Sequence, residues 1–329
     1  MNKYTIILPV HNGGNYIKEC VNSILKQTLQ NFNMIVLENN STDGTLEWLN
    51  SLNNNRIVIY PSPNCTLTIE ENWGRALTIP TNEFITLIGH DDVLLPDYLE
   101  TMDKLISKHP NASLYQTHYK YINSEGEFVR HCLPMHEIQY SHEFLACHFL
   151  QSMDSMGTGY MFRKSDYVKV LGMPKNYPNL IFADYELWIR LTDISYKATS
   201  LNNCFLYRLH NSLSKTTNGM LYQTAFFEYL NFLLDIKEIN VSIAKAIERY
   251  GHLFLNYYCE ALSHRLLKTP TRLRTITIDD FVSDCQIFAK KLIPKQSFNP
   301  SSVFRIRVAM ILDRNLIGRL IFKIYKIWF

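Results

Sequence analysis

Four short apolar runs within the first 90 residues constrain the fold of this chain more than any other feature. They lie at residues 5–10, 34–37, 57–60 and 84–88. None of them alternates apolar with polar residues, and continuous apolar runs of this length are typical of strands buried on both faces. The segments between the runs have helical apolar spacing, as residues 16–25 do. This alternation predicts an α/β fold with a doubly wound, mostly parallel sheet.

The last third of the chain has a different character. From about residue 220 onward the apolar spacing is helical throughout, and small and polar residues cluster at 215–219. We therefore predict two regions, an α/β domain over residues 1–217 and a helical C-terminal extension over residues 218–329. A chain of 329 residues is long enough for one large domain and a smaller one.

Composition and charge exclude several classes of protein. The formal net charge is only +3, which lacks the basic excess typical of nucleic-acid binding, so we expect no nucleic-acid partner. The seven cysteines are odd in number and widely spaced, which suits a reducing compartment. The apolar run at residues 5–10 is too short for a signal-peptide core, and no stretch of about 18 uncharged apolar residues occurs. We therefore expect a cytoplasmic protein.

Polar residues follow three of the predicted strands. These clusters are residues 9–12, 38–41 and 89–92. Because ligands of an open parallel sheet bind outside the carboxyl ends of its strands, we expect the three clusters to converge on one site. For residues 38–41, a turn with a helix N-cap is an equally simple explanation.

The adjacent carboxylates Asp91 and Asp92 are harder to explain as a turn. Two neighbouring acids after a buried strand repel each other and lose hydration unless positive charge lies nearby. A divalent cation with oxygen ligands meets that need. The alternative is one capping aspartate beside a solvated one. The phosphate-binding glycine loops of nucleotide-binding proteins do not occur in the sequence.

Five collinear segments of the sequence resemble a family 2 glycosyltransferase with the GT-A fold, of the kind found in bacterial glycan synthesis. They span residues 4–214 and read TIILPVHNGGNYIKECVNSILKQT, MIVLENNSTDGT, NWGRALTIPTNEFITLIGHDDVLLPDYLE, FADYELWIRL and YRLHNSLS. The chain departs from the family at Gly89, where a carboxylate is frequent, and at Asn39, where Asp is common.

The resemblance implies roles for particular residues. The general base is Asp184, and a divalent metal, Mn²⁺ or Mg²⁺, is bound by Asp92 and His210. The residues implied to bind the nucleotide and donor sugar are Pro9, Val10, His11, Asn12, Glu38, Asn39 and Asp91.

Other residues are assigned to the acceptor side from their type and position. The small residues Gly157 and Thr158 permit close approach of a substrate to the backbone, and Arg208 lies two residues from His210. Each candidate also has a structural interpretation. Residues 157–159 fit an ordinary turn, Arg208 fits an internal ion pair, and His210 fits a surface loop. Asp184 fits the first turn of a helix, where the helix dipole favours an acid, and both of its roles are compatible.

These residues together predict an inverting glycosyltransferase. It would move a sugar from a nucleoside diphosphate, with UDP the expected nucleotide, to a hydroxyl of a glycan or lipid-linked acceptor in bacterial surface polysaccharide synthesis. Asp184 would take the hydroxyl proton, and the metal would neutralise the leaving diphosphate. Two alternatives stay open: a metal-dependent phosphoesterase or nucleotidyltransferase that uses residues 90–92, and a non-catalytic relative that only binds sugar nucleotides.

The C-terminal segment at residues 303–329 is a basic amphipathic sequence. It contains six Lys or Arg residues and one Asp. On a helix, its apolar residues from Ile317 to Trp328 share one face, while Arg319, Lys323 and Lys326 share another. Such a helix fits the surface of an anionic membrane, which would place the protein at the inner face of the cytoplasmic membrane. Packing of the apolar face on the protein itself is the alternative.

Overall fold

The computed structural model describes residues 2–63, 65–210, 217–315, 317–320, 322 and 324. The strands are β1 (Tyr4–Val10), β2 (Phe32–Glu38), β3 (Ile57–Tyr60), β4 (Phe84–Leu87), β5 (Val93–Leu94), β6 (Leu114–Ile122), β7 (Phe128–His131), β8 (Ile138–Gln139), β9 (Met161–Arg163) and β10 (Lys197–Arg208). The helices are α1 (Tyr16–Leu25), α2 (Thr45–Ser51), α3 (Ile69–Gly74), α4 (Tyr98–Lys108), α5 (Ser141–Leu150), α6 (Lys164–Lys169), α7 (Ala183–Ile194), α8 (Gly219–Ile239), α9 (Val241–Lys268), α10 (Ile278–Leu292) and α11 (Phe304–Asp313).

The strands form one mixed sheet whose long pairings are parallel. Its order is β3-β2-β1-β4-β9-β6-β10-β5, with β7 on β6 and β8 on β10. β1, β2, β3 and β4 are parallel neighbours, and β10 runs parallel to β6, whereas β5, β7, β8 and β9 add short antiparallel pairings. The predicted α/β class, with a mostly parallel sheet and a helical extension, is confirmed.

Burial along the strands follows their place in the sheet. Every residue of β1 and β4 is buried, as their continuous apolar runs predict. The prediction was wrong for β3, which lies at the edge of the sheet and leaves Val58 42% exposed. An apolar run of four residues does not distinguish a central strand from an edge strand, because neighbours in the sheet are set by long-range pairing.

The chain divides into two compact units. The sheet unit comprises Met1–Phe144, Met153–Lys175 and Ala183–Ser212, and the helical unit comprises Leu145–Ser152, Asn176–Phe182 and Leu213–Phe329. Two short segments within the first 217 residues, 145–152 and 176–182, therefore belong to the helical unit. A single domain boundary at residue 217 does not predict this. The sequence carries no signal for this, because both segments are short and lie inside the α/β region.

The core of the helical unit is unusually aromatic. Phe182 stacks on Tyr229 with ring centroids 5.3 Å apart, and Phe149 stacks on Phe254 at 4.6 Å. Phe226 stacks on Tyr258 at 5.4 Å.

Among the residues the structure describes, no helix is both long enough and apolar enough to span a bilayer.

Candidate active site

The carboxyl ends of β1, β2 and β4 meet at one edge of the sheet. Val10 pairs with Glu38 in the parallel register, and the Asn39 N–H continues the ladder to the Val10 carbonyl at 2.9 Å. On the other side of β1, the Ile88 N–H donates to the Ile7 carbonyl at 3.0 Å. The turns that follow these strands therefore leave the sheet together, as the sequence predicted.

The turn after β2 uses its polar side chains to hold its own backbone. Glu38 is 1% exposed, and its two carboxylate oxygens accept from the N–H groups of Asn40 at 3.0 Å and Ser41 at 2.6 Å. Asn39 is also buried, and its amide forms two hydrogen bonds with the backbone of Leu67, at 2.8 and 3.0 Å. These bonds match the turn interpretation, and contacts of Glu38 and Asn39 with a nucleotide stay a prediction.

The turn after β1 is built on the turn after β2. His11 Nδ1 donates to the Asn39 carbonyl at 2.8 Å. The Asn12 side-chain oxygen accepts from the Thr42 N–H at 2.8 Å, and the Asn12 N–H donates to the Ser41 hydroxyl at 2.9 Å. Pro9 and Val10 are buried in β1 beneath this turn, so they can line a pocket only through backbone atoms and small side-chain surfaces.

Arg75 belongs to this edge of the sheet and was missed from the sequence. Its guanidinium donates to the carbonyls of Glu38 at 3.0 Å, Tyr60 at 2.7 Å and Pro61 at 2.8 Å. It therefore fixes the ends of β2 and β3 relative to each other. An isolated arginine just after a helix carries no pattern that points to such partners.

The turn after β4 has a different chemistry, because its acids bond to groups from distant parts of the sequence. Asp92 is 2% exposed; its Oδ2 accepts from the Thr158 hydroxyl at 2.6 Å and its Oδ1 from the Arg208 N–H at 3.0 Å. Asp91 Oδ2 forms a hydrogen bond with His210 Nε2. A methyl group placed on Gly89 would lie 2.6 Å from Asp91 Oδ1 and 3.4 Å from Asp92 Oδ2. Both carboxylates therefore turn toward the space that the absent side chain of Gly89 leaves.

The two acids differ in their electrostatics. Burial raises the pKa of Asp92 well above its usual range, and the negative charge of Asp91 raises it further. Burial also works to raise the pKa of Asp91, but its hydrogen bond with His210 and the charge of His90 outweigh this effect, so that its pKa lies below the usual range. Asp91 is therefore readily ionised, whereas a charge on Asp92 is favoured only when positive charge lies nearby.

Arg208 and His210 reach this turn from the end of β10. His210 bonds to Asp91, and its ring lies 5.6 Å from the ring of Tyr16 in α1. The side chain of Arg208 is 1% exposed, and its guanidinium pairs with Glu19 at 2.5 Å. The structure therefore places Arg208 in the internal ion pair that was its alternative interpretation, with its side chain turned away from solvent.

Asp184 starts helix α7 and lies beside the small residues of the 157–159 segment. A methyl group on Gly157 would lie 3.6 Å from Asp184 Cβ and 3.8 Å from its Oδ2, so Gly157 borders this carboxylate. Burial raises the pKa of Asp184 to about 6. A carboxylate with that pKa is suited to accepting a proton near neutral pH.

Tyr207 lies near the acids of this site and was also missed from the sequence. Burial raises its pKa, and the negative charges of Asp92, Asp91 and Asp184 raise it further. Carboxylates from two distant parts of the sequence, the 91–92 pair and Asp184, therefore raise the pKa of one phenol. The ring of Tyr207 packs edge-on against Tyr121, its partner on β6, with centroids 5.6 Å apart.

The donor atoms fit a divalent cation that a substrate helps to hold. Within the described part of the chain, no group of three or more His, Cys, Asp and Glu side chains forms a complete metal site. Mg²⁺ and similar ions, however, are commonly held by one or two carboxylates together with substrate phosphates. Asp92 offers such a carboxylate, and Asp91 lies beside it around Gly89.

The fold and this strand-end site define the class of GT-A glycosyltransferases. The chain resembles the solved structure of S. aureus TarS 1–349 in complex with UDP-GlcNAc, with a TM-score of 0.61 and 13% identity over 95% of this chain and 91% of that one. At that identity the likeness concerns the fold. The sequence profile described as Glycosyl transferase family 2 matches residues 5–171, and the protein belongs to this family.

Curated relatives are similar to parts of the chain. Glycosyltransferase GlyA of Streptococcus pneumoniae is 31% identical over 134 residues, which are 40% of this chain and 19% of that protein. Chondroitin synthase of Pasteurella multocida is 27% identical over 239 residues, 72% of this chain and 24% of that protein. The matched region spans only a fifth to a quarter of the length of these two relatives.

Proposed function

We propose that the protein is an inverting glycosyltransferase. It transfers a sugar from a nucleoside diphosphate, with UDP as the first candidate, to a hydroxyl of a glycan or lipid-linked acceptor in bacterial surface polysaccharide synthesis. The observation that carries the proposal is the set of contacts that brings the acids together at the carboxyl edge of the sheet: Thr158 donates to Asp92, and the neighbouring Gly157 borders Asp184. The binding of UDP-GlcNAc by TarS, which shares the fold, supports the choice of donor.

Asp184 has the properties that the acceptor side of this reaction needs. The acceptor oxygen attacks the anomeric carbon as the bond from that carbon to the diphosphate oxygen breaks, and a single displacement inverts the configuration. Asp184 takes the proton of the attacking hydroxyl. With a pKa of about 6, it is largely ionised at neutral pH and still basic enough to accept that proton. Gly157 beside it leaves room for the acceptor to approach.

Asp91, Asp92 and His210 serve the donor side. Asp91 would bind the ribose or donor sugar, and Asp92 and His210 would hold the divalent metal, Mn²⁺ or Mg²⁺. When bound, that metal supplies positive charge to the leaving diphosphate. Thr158 and the backbone of Arg208 hold the Asp92 carboxylate in place through their hydrogen bonds. Glu38, Asn39 and the residues 9–12 form the nucleotide side of the pocket.

Incubation with a panel of nucleotide sugars and Mn²⁺ tests the proposal. We expect slow hydrolysis of one donor without acceptor, and transfer with inverted anomeric configuration when an acceptor is added. Phosphoester cleavage without sugar preference would instead indicate a phosphoesterase or nucleotidyltransferase. Binding of sugar nucleotides without any turnover would indicate a non-catalytic relative.

We further propose that the C-terminal segment binds an anionic membrane surface. Ile317, Leu320 and Ile324 are 72%, 58% and 49% exposed, while Phe322 is buried and Arg319 pairs inward with Asp313 at 2.9 Å. These apolar side chains thus face away from the helical unit, and basic residues flank them in the sequence. Apolar burial and about 1 kcal/mol for each basic residue near the surface favour binding. Residues 316, 321, 323 and 325–329 of this segment lie outside the described part of the chain.

Substitution of the three exposed apolar residues tests this second proposal. Deletion of residues 303–329 is a poor test, because it also removes Asp313, whose carboxylate accepts from the buried Arg274 at 2.6 Å. The triple serine variant of Ile317, Leu320 and Ile324 should keep the melting temperature and lose flotation with phosphatidylglycerol vesicles. The matched control replaces Ile239 and Val241, which are 80% and 71% exposed at another place in the helical unit. Unchanged flotation of the triple variant would exclude the membrane role.

A further inference from the structure

We propose that Arg208 is a positioning residue, which holds Asp91 and Asp92 in the geometry that binds the donor. The inference rests on the proposed function, in which these two acids serve the nucleotide-sugar donor. Its starting point is that one residue contacts both acids. The backbone N–H of Arg208 donates to Asp92 Oδ1 at 3.0 Å, and its side-chain Nε donates to the backbone carbonyl of Asp91 at 2.8 Å.

The remaining donors of the guanidinium tie this turn to two other parts of the sheet unit. Nη1 donates to the carbonyls of Asn123 at 3.1 Å and Ser124 at 3.4 Å, in the turn between β6 and β7. Nη2 pairs with Glu19 in α1 at 2.5 Å. The guanidinium therefore joins the turn after β4, the turn after β6 and helix α1.

Tyr16 in α1 strengthens this connection. The guanidinium carbon of Arg208 lies 4.6 Å from the centre of the Tyr16 ring, and the His210 ring lies 5.6 Å from it. His210 in turn bonds to Asp91. The end of β10 therefore holds Asp91 at its carbonyl through Arg208 and at its carboxylate through His210.

The side-chain contacts require the shape of arginine as well as its charge, whereas the bond to Asp92 comes from the backbone N–H, which a lysine at this position also has. Three of the partners are backbone carbonyls, which lie in different directions around one planar group. A guanidinium presents five N–H donors in a fixed fork, whereas the lysine ammonium is a single point of charge on a flexible stem. The charge partner, Glu19, is 52% exposed, so its attraction is weakened by water and is the smaller part of the arrangement. Loss of the fork would leave these part-buried carbonyls without their donors.

The variant Arg208→Lys tests the proposal, with Arg163→Lys as a matched control. Arg163 also lies 4.6 Å from a ring, that of Phe84, and also pairs with a glutamate, Glu83 at 3.0 Å. It pairs with the first residue of β4, at the opposite end of that strand from Asp91. Arg163 donates to one backbone carbonyl, that of Pro110, and is more exposed than Arg208. It is therefore an arginine with the same kinds of partner at the opposite end of the sheet.

Two measurements are made on both variants and the wild type. The first is hydrogen exchange of the amides at residues 89–92 and 123–126 without ligand. The second is titration of UDP in the presence of Mn²⁺, together with KM and kcat for donor hydrolysis. For Arg208→Lys we expect faster exchange at both turns, roughly 10- to 100-fold weaker UDP binding and a rise in donor KM larger than the fall in kcat. Arg163→Lys should match the wild type in all of these.

Unchanged exchange and UDP affinity in Arg208→Lys would overturn the proposal. If that variant fails to fold, Tyr16→Leu replaces it, since this change removes the ring beneath the guanidinium and should loosen the same two turns to a smaller extent. Wild-type exchange in folded Tyr16→Leu would then count against the proposal. A wild-type protein that binds no nucleoside diphosphate would refute the proposed function, while the exchange comparison would still decide the role of Arg208.

Discussion

The turns after β2 and β4 each contain a pair of polar side chains, but the two pairs have different kinds of partner. After β2, the side chains of Glu38 and Asn39 are buried and bonded to nearby backbone. After β4, the side chains of Asp91 and Asp92 meet groups from residues 158, 208 and 210, far away in the sequence.

This difference separates a turn that shapes the pocket from a turn that carries its chemistry. A carboxylate that accepts hydrogen bonds from two nearby backbone N–H groups stabilises the turn and is less available to bind a ligand. Two adjacent carboxylates repel each other and are both ionised only when positive charge lies nearby. A metal bound together with the substrate can supply that charge. Substitutions after β2 should therefore lower mainly stability, and substitutions after β4 should lower mainly activity.

The largest effect on activity is expected for Asp92→Asn. The change keeps the shape of the side chain and removes its charge, so metal-dependent UDP binding should be lost and donor turnover should fall by roughly four decades, as expected when several kcal/mol of charge stabilisation disappear. UDP titration with and without Mn²⁺, together with a thermal melt, measures this. Full metal-dependent binding by the variant would refute the role of Asp92.

The next largest effect is expected for Asp184→Asn. Transfer should fall by roughly two to four decades while UDP affinity stays the same, because an amide does not accept the hydroxyl proton. In the wild type, kcat/KM should fall about tenfold per pH unit below about pH 6, where Asp184, with its pKa raised to about 6, becomes protonated. A pH–rate profile of both proteins checks this, since the variant should lack that acidic limb. An equal loss of UDP binding and turnover would make Asp184 a donor-binding residue.

A smaller effect is expected for Gly89→Ala. The added methyl would lie 2.6 Å from Asp91 Oδ1, so the carboxylate must move while the backbone stays in place. Such a displacement should lower donor turnover by roughly 10- to 100-fold with little change in melting temperature. Gly44→Ala is the control, because Gly44 has a φ of +85° with open space around it, so that its substitution should lower stability and leave turnover unchanged. Wild-type turnover in Gly89→Ala would show that Asp91 has freedom to move.

The smallest effect on activity is expected for Glu38→Gln, where stability should change most. Glutamine has one acceptor oxygen in place of two, so one of the two backbone N–H groups loses its partner, which costs about 1–2 kcal/mol. Donor KM should rise by roughly threefold to tenfold with kcat unchanged, because the turn borders the nucleotide. Denaturant unfolding and donor kinetics measure the two effects. A stable variant that loses most of its turnover would contradict the contrast between the turns.

The sequence by itself determined the order and kind of the secondary structure near the site. The apolar runs predicted β1 to β4, and helix α1 has the predicted bounds, since periodicity and strand length are local properties. The polar residues at three strand ends were also predicted to converge, because parallel strands that start at one edge finish at the other.

The tertiary structure alone decided which polar side chain has which partner. Arg208 lies more than a hundred residues from Asp91 in the sequence, and no spacing rule connects them. The same holds for Arg75 with the ends of β2 and β3, for Tyr207 among the three acids, and for the edge position of β3. The physical reason is that a buried polar group must find a partner, but long-range packing determines which partner is within reach.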